Sequence, residues 1–152
     1  MPRAFTLVEL LVVVVVLGVL AAVTAVAAAG ESTHRRSVTL ANALQEVRLA
    51  LGQYHLESTI SATEPFPDLA SVQSGSILAG VGMPENPFNG SAEVVASDTA
   101  INADSRASVG TSAGWVYFAD STSEKAWFFA NSVELTTFTD PVTGERLHAN
   151  EL

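Results

Sequence analysis

The sequence predicts an α+β fold: one long N-terminal helix, a membrane span continuing into an amphipathic half, packed on a small antiparallel sheet. Three observations predict it. Residues Leu10 to Gly30 form an uncharged, almost wholly apolar run, a one-sided apolar stripe follows, and aromatic, β-prone runs stand near the C-terminus. With 152 residues there is room for one small domain. The hydrophobic share of 48% is high for a purely soluble chain, and the apolar run accounts for the excess.

The run from Phe5 to Gly30 has the length of a bilayer crossing, since roughly 20 residues at ~1.5 Å each cover a ~30 Å hydrocarbon layer. Its valines are β-formers in a soluble setting, but a single chain crossing lipid must satisfy its own backbone and has to be a helix. Beyond Gly30, Leu40, Leu44, Val47, Leu51 and Tyr54 follow at spacings of four, three, four and three. That is one stripe on a helix, with Asn42, Gln45, Glu46, Arg48 and Gln53 mostly off it. Glu31 and Arg35 stand at i and i+4, and no proline interrupts Arg3 to Glu64. One continuous helix from near Phe5 to about Leu56 is therefore expected.

The remainder reads as turns and short strands. Glu64-Pro-Phe-Pro and Met83-Pro-Glu-Asn-Pro-Phe-Asn-Gly are turn-rich, and Asn89-Gly90 favours a tight hairpin turn. Gly114 to Phe118 and Ala126 to Ala130 pair as an antiparallel hairpin holding Trp115, Tyr117, Trp127 and Phe129, and Val133 to Phe138 supplies a third strand. The sheet's aromatic face and the helix stripe have matching needs and should pack together.

Charge is distributed as unevenly as hydrophobicity. From Leu49 onward there are 13 acidic residues against three basic ones, Arg106, Lys125 and Arg146, a formal −10 in a chain whose total is −9. Such a surface repels phosphate, so no nucleic-acid partner is expected. It keeps the region solvated. Cysteine is absent, which removes disulfides, thiolate nucleophiles and Cys-based zinc sites together.

Glu9 interrupts the apolar run. A charge at a bilayer centre costs ~2.5–3.5 kcal/mol on insertion scales, less near the boundary, and the cost is offset if a cation pairs with it. Met1-Pro-Arg-Ala4 followed by Phe5-Thr-Leu-Val-Glu9-Leu resembles the class III signal of type IV pilins and type II secretion pseudopilins, with Ala4 where the family usually has glycine. The resemblance implies a leader at 1–4, a transmembrane and assembly helix at 5–30, an amphipathic helix at 31–56 and a β-rich head at 57–152. It also implies cleavage between Ala4 and Phe5 by a prepilin peptidase, N-methylation of Phe5, and an assembly role for Glu9 opposite the Phe5 amine of a neighbouring subunit. Two unit charges ~4 Å apart at an effective dielectric of ~20 attract by about 4 kcal/mol before desolvation, similar to the insertion cost.

By the same resemblance the protein is a structural filament subunit rather than an enzyme. The expected role is a pseudopilin of a type II secretion system, the alternative a major or minor type IV pilin. Partners would be identical or related subunits, the peptidase and inner-membrane assembly machinery, with the head outside the cytoplasm. A Sec-type signal ending at Ala27-Ala28-Ala29 competes, but the run is about twice the usual length and Glu9 stands at its head. Arg35-Arg36 beyond the span partly oppose the positive-inside bias, so orientation rests on the motif.

Chemistry in the head has weaker signals. Gly110-Thr-Ser-Ala-Gly114 with Asp140 and His148 mimics a nucleophile elbow, yet lacks the strand-to-helix setting and reads as a small-residue loop. Asp120, Glu124, Asp140 and Glu145 offer oxygen ligands, Asp120 and Asp140 being the metal candidates, and some major pseudopilins carry calcium near the sheet. No recognised calcium register is present, and no cofactor is expected. His34, His55 and His148 have no ligand spacing. Asn89-Gly90-Ser91 is formally a glycosylation sequon but reads better as a turn.

Overall fold

The structure, a computed structural model, describes residues 7–97 and 105–152, with the side chains of residues 23–30 outside the description. Contacts divide the chain after Arg35 into two compact units. The helix α1 (Leu7–Ser61) contributes to both.

In the first unit α1 is helical through its valines, each of which costs only a few tenths of a kcal/mol relative to leucine. From Leu7 (79% exposed) to Leu20 (56%) its large apolar side chains are uncovered. Arg35 meets the Glu31 carboxylate at 2.6 Å on an exposed face. Among the described residues, no helix is long and apolar enough to cross a membrane. The part of the run whose side chains are described, Leu7 to Ala22, falls short of the roughly 20 residues a crossing needs.

In the second unit, Leu40, Leu44, Val47 and Leu51 of α1 are buried, as the stripe predicts, and Tyr54 is half-buried. The helix ends at Ser61, five residues past the expected Leu56. Ala62 takes the left-handed conformation (φ 52°) and the Thr63 N–H reaches back to the Ser58 carbonyl at 3.1 Å. That is a Schellman-type stop, usually marked by glycine and here carried by alanine. A short helix α2 (Leu69–Gln73) follows, capped by the Asp68 side chain.

Strands β1 (Val94–Ala96), β2 (Trp115–Asp120) and β3 (Lys125–Ala130) form a sheet in the order β1-β2-β3. The β2–β3 hairpin is antiparallel, as expected, with Tyr117 opposite Phe128 and Val116 opposite Phe129. β1 joins parallel to β2, so the sheet is mixed. The expected third strand does not enter it: β4 (Leu135–Thr139) pairs with β5 (Arg146–His148) in a separate two-stranded sheet. Asn89-Gly90 closes a turn, with the Gly90 N–H on the Asn86 carbonyl at 2.7 Å, but connects no hairpin.

The register also divides the aromatic residues. Residues paired across a ladder share a face, so Trp115, Tyr117, Phe128 and Ala130 point to the core under α1, and Val116, Trp127 and Phe129 lie on the opposite face. Both faces are covered, since Val116 and Phe129 are as buried as Trp115. Trp127 and Phe129 therefore do not stack with Trp115 and Tyr117. It is Phe128 that stacks on Trp115, at 5.3 Å.

Side chains from the helices close the strands' unpaired groups. Arg48 donates to the Phe128 carbonyl of edge strand β3 at 3.0 and 3.2 Å. Gln73 donates to the Val94 carbonyl of edge strand β1 at 2.7 Å. The Ser37 hydroxyl accepts the Thr137 N–H of β4 at 3.0 Å. An open edge invites pairing with another chain, and these contacts obstruct it.

Candidate functional site

Ala4 and Phe5, the expected processing and methylation residues, lie outside the described residues. Glu9 lies in the first described turn of α1. Leu7, Val8, Leu10 and Leu11 around it are all more than half exposed. The first turn thus presents one acidic group in an apolar, unburied surface.

Residues 2–25 match the family described as the prokaryotic N-terminal methylation motif. The chain therefore carries at its N-terminus the class III signal of type IV pilins and pseudopilins, as Phe5-Thr-Leu-Val-Glu9 implied. The match ends within α1, and the head lies beyond it. No curated protein and no solved structure matches the chain.

In the head, the residues suggestive of chemistry are engaged in local structure. Asp120 accepts from the Thr122 N–H at 2.9 Å and the Ser123 hydroxyl at 2.6 Å. These bonds, the one to Ser123 first, hold its carboxyl below the usual carboxylate range. Asp140 accepts from the Val142 and Thr143 N–H groups at 2.6 and 3.1 Å. Both metal candidates are thus turn-forming carboxylates. Among the described residues, no three His, Asp or Glu side chains are grouped to hold a metal ion.

The Gly110–Gly114 segment is irregular, and Ser112 is exposed. His148 pairs Nδ1 with the Val133 carbonyl at 2.5 Å, and among the described residues Asp140 bonds instead within its own turn. His55 stacks on Phe66 at 5.0 Å. Asn89 bonds the Ala113 carbonyl at 3.0 Å and the Ser91 N–H at 3.1 Å, which makes the sequon part of a packed loop.

Two organising residues stood out in the sequence only as parts of turn and strand features, Asn86 within Pro84 to Gly90 and Asn131 after Ala130. Asn86, fully buried, donates to the Gly114 carbonyl at 2.7 Å and accepts from the Phe88 N–H at 2.9 Å. Asn131 donates to the Ala113 carbonyl at 3.0 Å and accepts from the Val109 N–H at 2.8 Å. Together they fix the loops before β2. Gly114 is pressed so closely that a Cβ there would stand 1.9 Å from the Ser91 carbonyl oxygen. A residue type read as turn-forming is here a buried cross-link, detectable only once its partners are known.

Of the cavities at the head's surface among the described residues, two bear on function. The larger, about 670 Å³, is lined among the described residues by Tyr54, Phe66, Tyr117 and Phe118 with the carboxylates Glu64 and Asp68. The Tyr117 hydroxyl donates to the Pro67 carbonyl at 2.9 Å. Burial, then Tyr54 and Asp68, push its pKa strongly upward. The smaller, about 340 Å³, is apolar with Arg48 and Arg106 on its wall.

Proposed function

We propose that this chain is a structural filament subunit made as a membrane-inserted precursor and cut between Ala4 and Phe5, with Phe5 N-methylated. The observation that carries the reading is the N-terminal methylation motif at residues 2–25, running into a helix whose apolar side chains from Leu7 to Leu20 are uncovered in the single chain. Such a surface is stable only in lipid or against other apolar helices, and a filament core offers the second. The sequence run continues uncharged to Gly30, which supports a membrane anchor before assembly.

In this reading Glu9 draws in a neighbour's Phe5 amine, and the partners are copies or relatives of this chain, a prepilin peptidase and inner-membrane assembly proteins. The head sits outside the cytoplasm. We place the filament in a type II secretion pseudopilus, with a type IV pilus as the second reading. The subunit reading is structural and not enzymatic, and the head's −10 charge speaks against a nucleic-acid ligand.

The processing test is the intact mass and N-terminal sequence of the protein from its native membrane: a methylated Phe5 terminus supports the proposal, and a terminus near Gly30 overturns it. Assembly is tested separately. Glu9→Ala should be inserted and cleaved normally, yet give at most about a tenth of the filament yield at equal mature subunit, because a pairing worth a few kcal/mol is gone. Normal yield would remove Glu9 from the assembly step. Deletion scored for secretion and for twitching separates the two filament types.

A further inference from the structure

We propose that the cavity between α1 and β3 in the head is a binding site for a small organic carboxylate. Its apolar walls take the body of the ligand, and the guanidiniums of Arg48 and Arg106 take the carboxylate. The cavity's volume of about 340 Å³ is at the small end of the range for ligand pockets, roughly 300–1,000 Å³. Leu51, Phe66, Ala126, Trp127 and Phe128 supply apolar surface.

The charge distribution carries the argument. Only three basic residues follow Leu49, and the fold brings one of them, Arg106, to the cavity that Arg48 also lines. Neither is paired with a carboxylate side chain among the described residues. Arg48 spends three donors on the main-chain oxygens of Phe128 and Leu152. Arg106 gives one to the main-chain oxygen of Glu151, while the Glu151 carboxylate accepts from the His148 N–H at 2.6 Å. A guanidinium has five N–H donors, so both keep some in reserve.

Two like charges gathered at one cavity repel, and an anion between them turns that repulsion into attraction. Partial burial and then the nearby Arg106 already lower the pKa of Arg48. A carboxylate matches the planar guanidinium fork. Arg106 also lies over the Trp127 ring at 5.9 Å, which fixes the guanidinium beside an apolar wall. The Trp127 Nε1–H is itself hidden and, among the described residues, without an acceptor, so the arginines supply the donors.

The chain has two tryptophans, hence two indole N–H resonances. Trp115 donates to the Pro84 carbonyl at 2.8 Å and reports on the fold. The ¹⁵N-labelled full-length chain in uncharged detergent is titrated with phenylacetate. The expected result is a saturable shift of the Trp127 resonance with Trp115 unmoved, and none with benzyl alcohol or acetate over the same range. Arg106→Gln should weaken binding roughly tenfold or more, and Lys125→Gln, which removes an equal charge outside the cavity, should leave it unchanged. An absent shift, an equal response to benzyl alcohol or acetate, or equal weakening by Lys125→Gln overturns the site.

Discussion

The two ends of α1 use the same residue types in opposite ways. Leu11 and Val14 are 56% and 60% exposed, whereas Leu40 and Val47 are both at 0%. In the second unit the apolar residues form a stripe, and a folded head covers it. In the first they surround the helix, and no side of it is spared for water. An all-round apolar helix cannot be satisfied by one small sheet, so its stability has to come from lipid or from other helices. The contrast assigns folding to the stripe and association to the run.

That division is most sharply tested by cavity formation. Leu44→Ala should destabilise the head by about 2–5 kcal/mol, read from urea unfolding of the full chain in detergent by tryptophan fluorescence. Leu11→Ala should leave the same curve unchanged and lower filament yield instead. Equal destabilisation by the two would break the comparison.

Smaller effects follow for the polar links of the head. Asn131→Ala leaves the Val109 N–H and Ala113 carbonyl without that partner and should cost about 1–3 kcal/mol. Tyr117→Phe loses its bond to Pro67 and should cost about 1 kcal/mol at neutral pH.

The same tyrosine sets an alkaline limit. Its folded pKa is raised, so its contribution is fully present below the unfolded value near 10 and is lost as pH rises beyond it. Wild-type stability should therefore fall above about pH 10, and Tyr117→Phe should fall less. Parallel curves for the two proteins would remove Tyr117 as the cause.

The two arginines give the weakest pair of effects. Arg48→Met uncovers the Phe128 carbonyl of an edge strand and should cost about 1 kcal/mol, moderated because the side chain is partly in solvent. Arg35→Gln breaks only an exposed i,i+4 pair and should change helix stability by no more than about 0.5 kcal/mol. A larger loss from Arg35 than from Arg48 would mean that the first unit depends on polar links after all.

The sequence by itself determined the N-terminal motif, the long helix, the buried stripe from Leu40 to Leu51 and the β2–β3 hairpin. Each is a local or periodic signal: a fixed run of residues, a 3.6-residue repeat, or two β-prone runs joined by a short turn. Only the tertiary structure decided which face each aromatic residue takes. Trp127, Phe128 and Phe129 are consecutive and apolar, so no period-2 alternation exists where both faces of a sheet are covered. The helix stop at Ala62 was equally silent, because an alanine there takes a conformation that sequence rules reserve for glycine, closed by the Thr63 N–H on the Ser58 carbonyl. The parallel partner of β2, the separate β4–β5 pair, the buried Asn86 and Asn131, and the meeting of Arg48 with Arg106 all join residues distant in the chain. Their identity depends on which surfaces the fold brings together, and no local spacing encodes that.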